Sequence, residues 1–209
     1  MAHQYFDDNT NLAHDEKTYQ VTFEGQTYIF QTDSGVFSRQ RLDFGSEVLL
    51  GAAVGTKPTV LGPILDLGCG YGPIGIVMAH EEPERVIEMV DVNERALDLA
   101  HKNAEANQRE NVQIHLSSGY QTVHQSPYAR ILTNPPIRAG KQVVHSFITG
   151  ATDHLKPGGD LLLVIQKKQG APSAQKKMAE VFGNVERIAL KKGYWVLRSQ
   201  KLDDSPNAH

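Results

Sequence analysis

Near the start of the chain, residues 19–23 and 27–30 alternate between apolar and polar side chains. Alternation of this kind predicts two half-buried strands, and the Glu-Gly pair between them predicts a β-hairpin. The spacing of apolar residues over 44–54 instead indicates a helix. We therefore expect a hairpin followed by a helix within residues 17–60.

From residue 64 onward, short apolar runs alternate with amphipathic segments, as in parallel strands joined by helices. The predicted strands are 64–66, 86–90, 112–116, 130–133 and 161–165, and the predicted helices are 74–80, 93–107, 142–155 and 173–182. Asn93 is a suitable N-cap for the second helix, and Pro157-Gly158-Gly159 is expected to end the third. Two last strands, 185–190 and 194–198, flank Lys191-Lys192-Gly193 and indicate an antiparallel hairpin.

These elements predict an α/β protein with a Rossmann-like, mostly parallel sheet of seven strands that ends in an antiparallel hairpin. A length of 209 residues and an apolar fraction of 40% suit one globular domain. We expect this domain to comprise the first hairpin and helix in 17–60 and a core in 61–201. The polar ends, 1–16 and 202–209, are expected to be flexible tails.

The composition argues against several classes of protein. No apolar run approaches the roughly 20 residues that span a bilayer, and the first residues lack the features of a signal peptide. A single cysteine, Cys69, argues against an internal disulfide framework and multi-cysteine zinc sites, and it fits a reducing cytoplasm. None of the nine histidines lies in a zinc-binding motif, so no metal is expected.

Charge is distributed unevenly along the chain, although the net charge is only −3. Residues 1–137 contain 9 Lys and Arg against 18 Asp and Glu, whereas residues 138–201 contain 12 against 4. A basic segment of this size is typical of a surface that binds a polyanion, and a solvated lysine face is the alternative. The charge pattern by itself leaves both interpretations open.

A glycine-rich turn, Asp66-Leu-Gly68-Cys69-Gly70-Tyr-Gly72, links the strand at 64–66 to the next helix. Gly68 and Gly70 remove side chains where a ligand could approach the backbone, and the start of the helix directs free N–H groups toward it. Asp91 ends the following strand, 25 residues after Asp66, where its carboxylate could accept both hydroxyls of a ribose. The turn therefore indicates a nucleoside-binding crevice at the carboxyl ends of the strands.

Two phosphate-binding motifs fit this turn less well. The run Gly70-Tyr-Gly72-Pro-Ile-Gly75 matches the G-x-G-x-x-G pattern of dinucleotide sites, but it begins two residues late and leaves Asp66 without a role. A P-loop is excluded because no Gly-Lys-Ser or Gly-Lys-Thr follows the glycines.

A second motif, Asn134-Pro135-Pro136, follows the predicted strand at 130–133. The two prolines fix the backbone and remove two N–H donors, so that carbonyl oxygens remain as acceptors beside the Asn134 side-chain oxygen. Such acceptors can hold an NH₂ group with its lone pair aimed at an electrophile, and they stabilise the positive charge that develops on nitrogen. We therefore predict that Asn134, Pro135 and Pro136 are catalytic residues; a simple strand-ending turn is the alternative.

The glycine turn resembles that of class I S-adenosylmethionine-dependent methyltransferases. The resemblance implies that Asp66 and the turn hold the methionine end of the cofactor, that Asp91 binds the ribose, and that Val92 packs on the adenine. The turn residues assigned in this way are Gly68, Cys69, Gly70 and Gly72. A polar residue near the adenine amine is expected within 117–120, where Ser118 is the candidate, and Asn134 is expected to border the cofactor as well.

Further stretches resemble the "methyltransferase small" family, and the similarity covers roughly residues 19–200. They are Gly35-Val-Phe37-Ser38, Leu42-Asp-Phe-Gly-Ser46, Gly70-Tyr-Gly-Pro-Ile-Gly75 and the run 134–140. The resemblance implies methyl transfer from S-adenosylmethionine to an exocyclic amine, with the N2 of guanine in small-subunit ribosomal RNA as the favoured acceptor. That nitrogen is reached only in an unpaired or flipped base. The residues expected to contact this substrate are Phe37, Ile137, Arg138, Lys141, Lys167 and Lys168.

Two departures from the family's best-known ribosomal RNA enzyme bear on the substrate. That enzyme carries an additional N-terminal domain with no counterpart in this chain, and it has an aromatic residue at the position of Ile137. The alternatives are a glutamine amide of a protein or a small-molecule amine as acceptor, or a non-catalytic RNA-binding module that retains the fold. Lys176, Lys177, Lys191 and Lys192 are interpreted as ordinary surface charges. The sequence does not distinguish a monomer from a homodimer.

Overall fold

The computed structural model describes residues 15–34 and 41–202, and these residues fold into strands and helices close to the predicted ones. The strands are β1 (Lys17–Phe23), β2 (Gln26–Thr32), β3 (Ile64–Leu67), β4 (Ile87–Asp91), β5 (Val112–Leu116), β6 (Tyr128–Thr133), β7 (Leu155–Gln166), β8 (Glu186–Lys191) and β9 (Tyr194–Gln200). The helices are α1 (Phe44–Gly55), α2 (Pro73–Glu81), α3 (Glu94–Ala106), α4 (Lys141–His154) and α5 (Ala171–Phe182). None of the helices in the described part of the chain is long and apolar enough to cross a membrane.

The main sheet contains seven strands in the order β5-β4-β3-β6-β7-β9-β8, and the hairpin β1–β2 forms a separate antiparallel sheet. Parallel pairing joins β5 through β7, whereas β9 pairs antiparallel with both β7 and β8. This confirms the predicted Rossmann-like sheet. From β3 the chain builds one side of the sheet with β4 and β5, and it then returns to add β6 on the other side. A crevice therefore lies between the carboxyl ends of β3 and β6, where open α/β sheets bind ligands.

Helices cover both faces of the main sheet, which is why its central strands are apolar over most of their length. Every residue of β3 and β6 is buried. One hydrophobic core contains side chains of α1, α2, α3 and the hairpin, and the other contains side chains of α4 and α5. The strand ends that form the crevice are therefore supported by packed side chains on both faces.

Two asparagines, one within α3 and one at its C-cap, attach the N-terminal hairpin to the core. Asn103 Oδ1 accepts from Gln31 N at 2.7 Å, and Asn103 Nδ2 donates to Gln31 O at 3.0 Å. One helical turn later, Asn107 makes the same pair of bonds with the backbone of Ile29, at 3.0 and 2.7 Å. The two side-chain amides thus take the place of a neighbouring strand along the outer edge of β2 and satisfy its backbone groups.

The predicted end of the third helix of this series at about residue 155 is confirmed to within one residue, but the Pro157-Gly158-Gly159 triplet expected to end it lies inside a strand. The helix α4 ends earlier, at His154, and β7 begins at the next residue and runs through the triplet. Gly158 has a φ of +79°, and the pairing of β7 with β6 shifts register opposite this stretch. Gly158 N donates to Lys201 O and Lys201 N donates to Gly159 O, each at 2.8 Å. The glycines therefore form an irregularity within the strand, held by the chain that leaves β9.

A buried ion cluster joins three strands and the end of α1. Arg130 on β6 is 0% exposed, and its guanidinium donates to both oxygens of Asp160 on β7, at 2.7 and 2.8 Å. Arg198 on β9 donates to the same carboxylate at 2.8 Å, and Arg130 also donates to Ala53 O at 2.9 Å. Because Asp160 pairs with the fully buried Arg130 and Arg198 is partly exposed, the cluster ties these elements together without leaving a fully buried charge uncompensated.

Candidate active site

The glycine turn after β3 folds back onto β4. Gly68 N and Cys69 N both donate to the Val90 carbonyl oxygen at 2.9 Å. Gly68, Gly70 and Gly72 have positive φ angles of +76°, +57° and +97°. A Cβ placed at Gly70 would meet none of the described atoms within 4 Å, so the backbone there borders open space. The turn therefore offers a bare stretch of backbone at the crevice, as the sequence predicts.

Asp66, on β3, is fully buried next to this turn. Its Oδ2 accepts from Gly75 N at 2.8 Å, whereas its Oδ1 has no hydrogen-bond partner among the described residues. Burial raises the pKa of Asp66 to about 7; the Gly75 N–H opposes the rise, and the negative charge of Asp91 adds to it. One oxygen of this buried carboxyl is therefore still able to accept a hydrogen bond.

Asp91 lies beside the turn, at the end of β4. Its Oδ2 accepts from Gly70 N at 2.8 Å, and its Oδ1 accepts from Asn93 N at 3.0 Å. Burial raises the pKa of Asp91, and these two N–H groups oppose the rise. The carboxylate is therefore fixed between the glycine turn and the start of α3, where Asn93 is the N-cap, as predicted.

A cavity of about 390 Å³ begins at Val92, the residue after Asp91. The residues that line it are Val92, Leu116, Ser117, Ser118, Gln121 and Thr122. Val92 and Ser118, which come from different segments of the sequence, thus face the same space. Leu116 is 47% exposed and adds an apolar wall that sequence reasoning did not single out.

The Asn-Pro-Pro motif follows β6 and lies next to the turn that follows β3. Thr133 Oγ1 donates to Leu67 O at 2.9 Å, which ties the ends of the two strands together. Asn134 Nδ2 donates to Asp43 Oδ2 at 2.8 Å and to Ser46 Oγ at 3.0 Å. Both amide hydrogens are used in these bonds, and Asn134 Oδ1 is left without a donor among the described residues. The structure thus brings the two sequence motifs together and leaves the Asn134 side-chain oxygen as an available acceptor beside them.

The predicted substrate residues lie at the same edge of the main sheet. Ile137 and Lys141 line a smaller cavity of about 100 Å³ between the first turns of α4 and α5. Arg138 is exposed between them, and Lys167-Lys168 are exposed just after β7. Phe37 lies outside the described residues. Four cationic side chains therefore lie at the end of the main sheet where the Asn-Pro-Pro motif follows β6.

Sequence reasoning did not find the two residues that bind the Asn134 amide, Asp43 and Ser46. Asp43 is the N-cap of α1, because its Oδ2 accepts from Ser46 N at 3.1 Å. Both residues are close to 90 positions away from Asn134 in the chain. The sequence did contain one signal for them. Residues 42–46 resemble a stretch of the family and place the polar side chains of Asp43 and Ser46 at the start of a predicted helix.

Comparison with known proteins identifies the family. Residues 27–198 match the model described as the methyltransferase small domain. The chain belongs to this family. The resemblance predicted from the sequence motifs over roughly 19–200 is thus confirmed.

Relatives of this methyltransferase small domain protein differ in length. The uncharacterized protein YbxB of Bacillus subtilis (strain 168) is 44% identical over 203 residues, covering 97% of this chain and 100% of that protein. The ribosomal RNA small subunit methyltransferase C of Erwinia tasmaniensis is 30% identical over 203 residues, covering 91% of this chain but 57% of that protein. The chain therefore spans the whole of the first relative and little more than half of the second.

A solved relative supports both the fold and the cofactor. The Thermus thermophilus 16S rRNA N2 G1207 methyltransferase, in complex with AdoMet and guanosine, superposes with a TM-score of 0.78 at 26% identity. The match covers 89% of this chain and 50% of that chain. Together with the family match, it identifies this protein as a methyltransferase whose cofactor is S-adenosylmethionine.

Proposed function

We propose that this methyltransferase acts on the exocyclic N2 of guanine in small-subunit ribosomal RNA. The observation that carries the proposal is the fixed acceptor Asn134 Oδ1, whose amide nitrogen is fully engaged and which lies beside the glycine turn. An amino group on an aromatic ring needs acceptors of this kind, because its lone pair is delocalised and must be oriented toward the methyl group. The solved relative that binds guanosine supports guanine as the acceptor base.

We assign the cofactor to the crevice formed by the glycine turn, Asp91 and the 390 Å³ cavity. The unpartnered buried Asp66 Oδ1 suits the ammonium group of the methionine end, and the bare backbone at Gly70 permits close approach. The two Asp91 oxygens accept the backbone N–H groups of Gly70 and Asn93 and keep capacity for ribose hydroxyls. Val92 and Ser118 suit the adenine, because they line the adjoining cavity.

In this mechanism the protein orients the amine and stabilises charge. S-adenosylmethionine supplies a methyl group bound to a positively charged sulfur. The Asn134 side-chain oxygen and a backbone carbonyl of the Asn-Pro-Pro turn accept hydrogen bonds from the N2 amine. As the N2 lone pair forms the new N–C bond, the C–S bond breaks to give a neutral thioether, and the surplus proton on nitrogen passes to water. No strong acid is required, since the leaving group departs uncharged; the acceptors stabilise the positive charge on nitrogen.

A four-lysine cluster beside the crevice is proposed as part of the RNA-binding surface. Lys167 N donates to Gly193 O at 2.7 Å, so Lys167-Lys168 and the exposed Lys191-Lys192 turn are neighbours. Lys192 Nζ lies 5.1 Å from the centre of the Phe44 ring, next to the residue that binds Asn134. Lys191 and Lys192 were expected to be ordinary surface charges. Because their turn lies near the acceptor site, we propose instead that they contact RNA phosphates.

Replacing Lys191 and Lys192 with glutamate should weaken binding to small-subunit ribosomal RNA. Each phosphate contact in single-stranded RNA contributes about 0.7 to the slope of log K against log salt, so loss of two should lower the slope by about 1.4. The measurement is a fluorescence titration at several salt concentrations. Lys176→Glu with Lys177→Glu on α5 is the matched control, because it makes the same change in net charge. Equal losses in both pairs would mean that only overall charge matters.

Cofactor affinity should increase with pH because of Asp66. In the free protein burial holds the pKa of this carboxyl at about 7, so its protonated form dominates below that value. A bound ammonium group favours the carboxylate, and binding must therefore displace a proton at low pH. For one proton and a pKa of about 7, affinity should rise roughly tenfold between about pH 6 and about pH 8 and then level off. The same raised pKa also affects the free energy of unfolding of the free protein. The protonated Asp66 stabilises the fold below about pH 4, and this stabilisation is lost as pH rises to about 7.

Calorimetric titration with S-adenosylmethionine across this pH range checks the prediction. Asp66→Asn removes the titrating group while keeping an oxygen that can accept from Gly75 N, so its affinity should vary little with pH. An unchanged pH dependence in Asp66→Asn would show that another group titrates.

Labelled S-adenosylmethionine provides the decisive test of the substrate. The purified protein is incubated separately with small ribosomal subunits, free ribosomal RNA and total cellular protein. Label recovered as N2-methylguanine from either RNA sample supports the proposal. Label in protein, or in small molecules only, would overturn it and favour a glutamine amide or a small amine as acceptor.

A further inference from the structure

We infer that Asp43 and Ser46 are positioning residues that fix which atom of the Asn134 amide faces the acceptor. The inference rests on the proposed function, since it concerns the same methyl-accepting site. It adds two residues from α1, an element outside both sequence motifs. It also explains why the acceptor must carry N–H donors.

The orientation of the Asn134 amide follows from the chemistry of its partners. Asp43 Oδ2 lies 2.8 Å from the amide nitrogen, and an ionised carboxylate can only accept hydrogen bonds. The amide atom that faces it must therefore be the nitrogen. Ser46 Oγ takes the second amide hydrogen at 3.0 Å, which leaves Asn134 Oδ1 on the opposite side as an acceptor.

Asp43 and Ser46 are themselves held in place by α1. Asp43 Oδ2 also accepts from Ser46 N at 3.1 Å, and Asp43 O accepts from Glu47 N at 2.9 Å. Ser46 is 6% exposed. The backbone at Gly45 lies against the Tyr194 ring, where an added Cβ would come within 3.0 Å of both that ring and Asp43 Oδ2. The pair is therefore a rigid support rather than a flexible surface contact.

This arrangement has a consequence for selectivity. If the Asn134 amide were rotated by 180°, its NH₂ group would face the amine that is to be methylated. That amine is also a hydrogen-bond donor, so the two groups could not form a hydrogen bond. With Asp43 and Ser46 in place, the site favours groups that donate N–H bonds and disfavours keto oxygens or unprotonated ring nitrogens, which only accept.

The test separates positioning from helix capping. Asp43→Ser keeps a good N-cap for α1 but is too short to reach Asn134. Asp43→Asn keeps an oxygen able to accept from both Ser46 N and Asn134 Nδ2. We expect Asp43→Ser to lower kcat by about 10²-fold, the scale of a small misplacement at a reacting centre, while melting temperature and S-adenosylmethionine affinity stay near wild type. Asp43→Asn should recover most of that loss.

Measurements in an Asn134→Ala background complete the test. If Asp43 acts through Asn134, then adding Asp43→Ser to Asn134→Ala should lower kcat no further. A further loss as large as that in the wild-type background would overturn the inference, as would a wild-type kcat in Asp43→Ser. Failure of the proposed substrate is distinguishable, because the wild-type protein itself would then leave ribosomal RNA unlabelled.

Discussion

Replacing Asn134 with alanine is expected to lower kcat for methyl transfer by about 10²- to 10³-fold. In the proposed mechanism nitrogen gains positive charge as the methyl group arrives, and the oxygen of the Asn134 amide, whose nitrogen is held by Asp43 and Ser46, stabilises that charge. Removal of one preorganised group that stabilises developing charge costs about this much in rate. The affinity for S-adenosylmethionine should stay within a few-fold of wild type, because Asp66 and Asp91 are untouched.

Single-turnover transfer from labelled cofactor measures the rate, and calorimetry measures cofactor binding. Gln142→Ala is a suitable control, because Gln142 is exposed in the first turn of α4 at the same edge of the sheet. Its kcat should match that of the wild type. An Asn134→Ala variant that retained a third or more of wild-type kcat would remove this side chain from the mechanism.

The crevice could be predicted from the sequence because each of its parts is a local pattern. A short apolar run, glycines at the following turn and an acidic residue at the end of the next strand place Asp66, Gly70 and Asp91 together in any sheet of this topology. The observed bonds from Gly70 N and Asn93 N to Asp91 agree with that expectation. The strand before Asn134 was predicted as 130–133, and β6 begins two residues earlier, at Tyr128.

Contacts between segments that are distant in the chain could not be predicted from local sequence patterns. Asp43 is a helix N-cap by its local pattern, and its bond to Asn134 depends on how α1 packs beside the end of β6. The triplet Pro157-Gly158-Gly159 is a typical helix stop by its sequence, yet its glycines serve the pairing of β7. In both cases the local sequence is compatible with more than one structural role, and tertiary packing determines which role the residue has.

The basic segment was only partly a guide to the RNA-binding surface that we propose. Arg198 donates to Asp160 inside the fold, and Lys201 Nζ donates to two carbonyl oxygens at the end of α4. Lys156 Nζ likewise donates to Leu61 O. These cations stabilise the fold, so the charge available to a polyanion is concentrated in the four-lysine cluster and near Arg138.

Replacing Asp160 with alanine is expected to lower the free energy of unfolding by about 3–5 kcal/mol. The carboxylate neutralises Arg130, which is fully buried, and removal of one partner leaves that guanidinium as an uncompensated ion. A domain of this size has roughly 5–15 kcal/mol of stability in total, so the loss is a large fraction of it. Thermal unfolding should show a fall in melting temperature of roughly 10 °C.

Two comparisons establish that the effect comes from the buried charge. Asp153→Ala removes an exposed carboxylate on α4 and should change stability little. Arg198→Ala should cost less than Asp160→Ala, because the Arg198 side chain is 23% exposed and Arg130 keeps its bidentate partner. If Asp160→Ala unfolds within about 1 kcal/mol of wild type in urea, Arg130 must be neutralised in another way, since a guanidinium does not lose its proton in proteins.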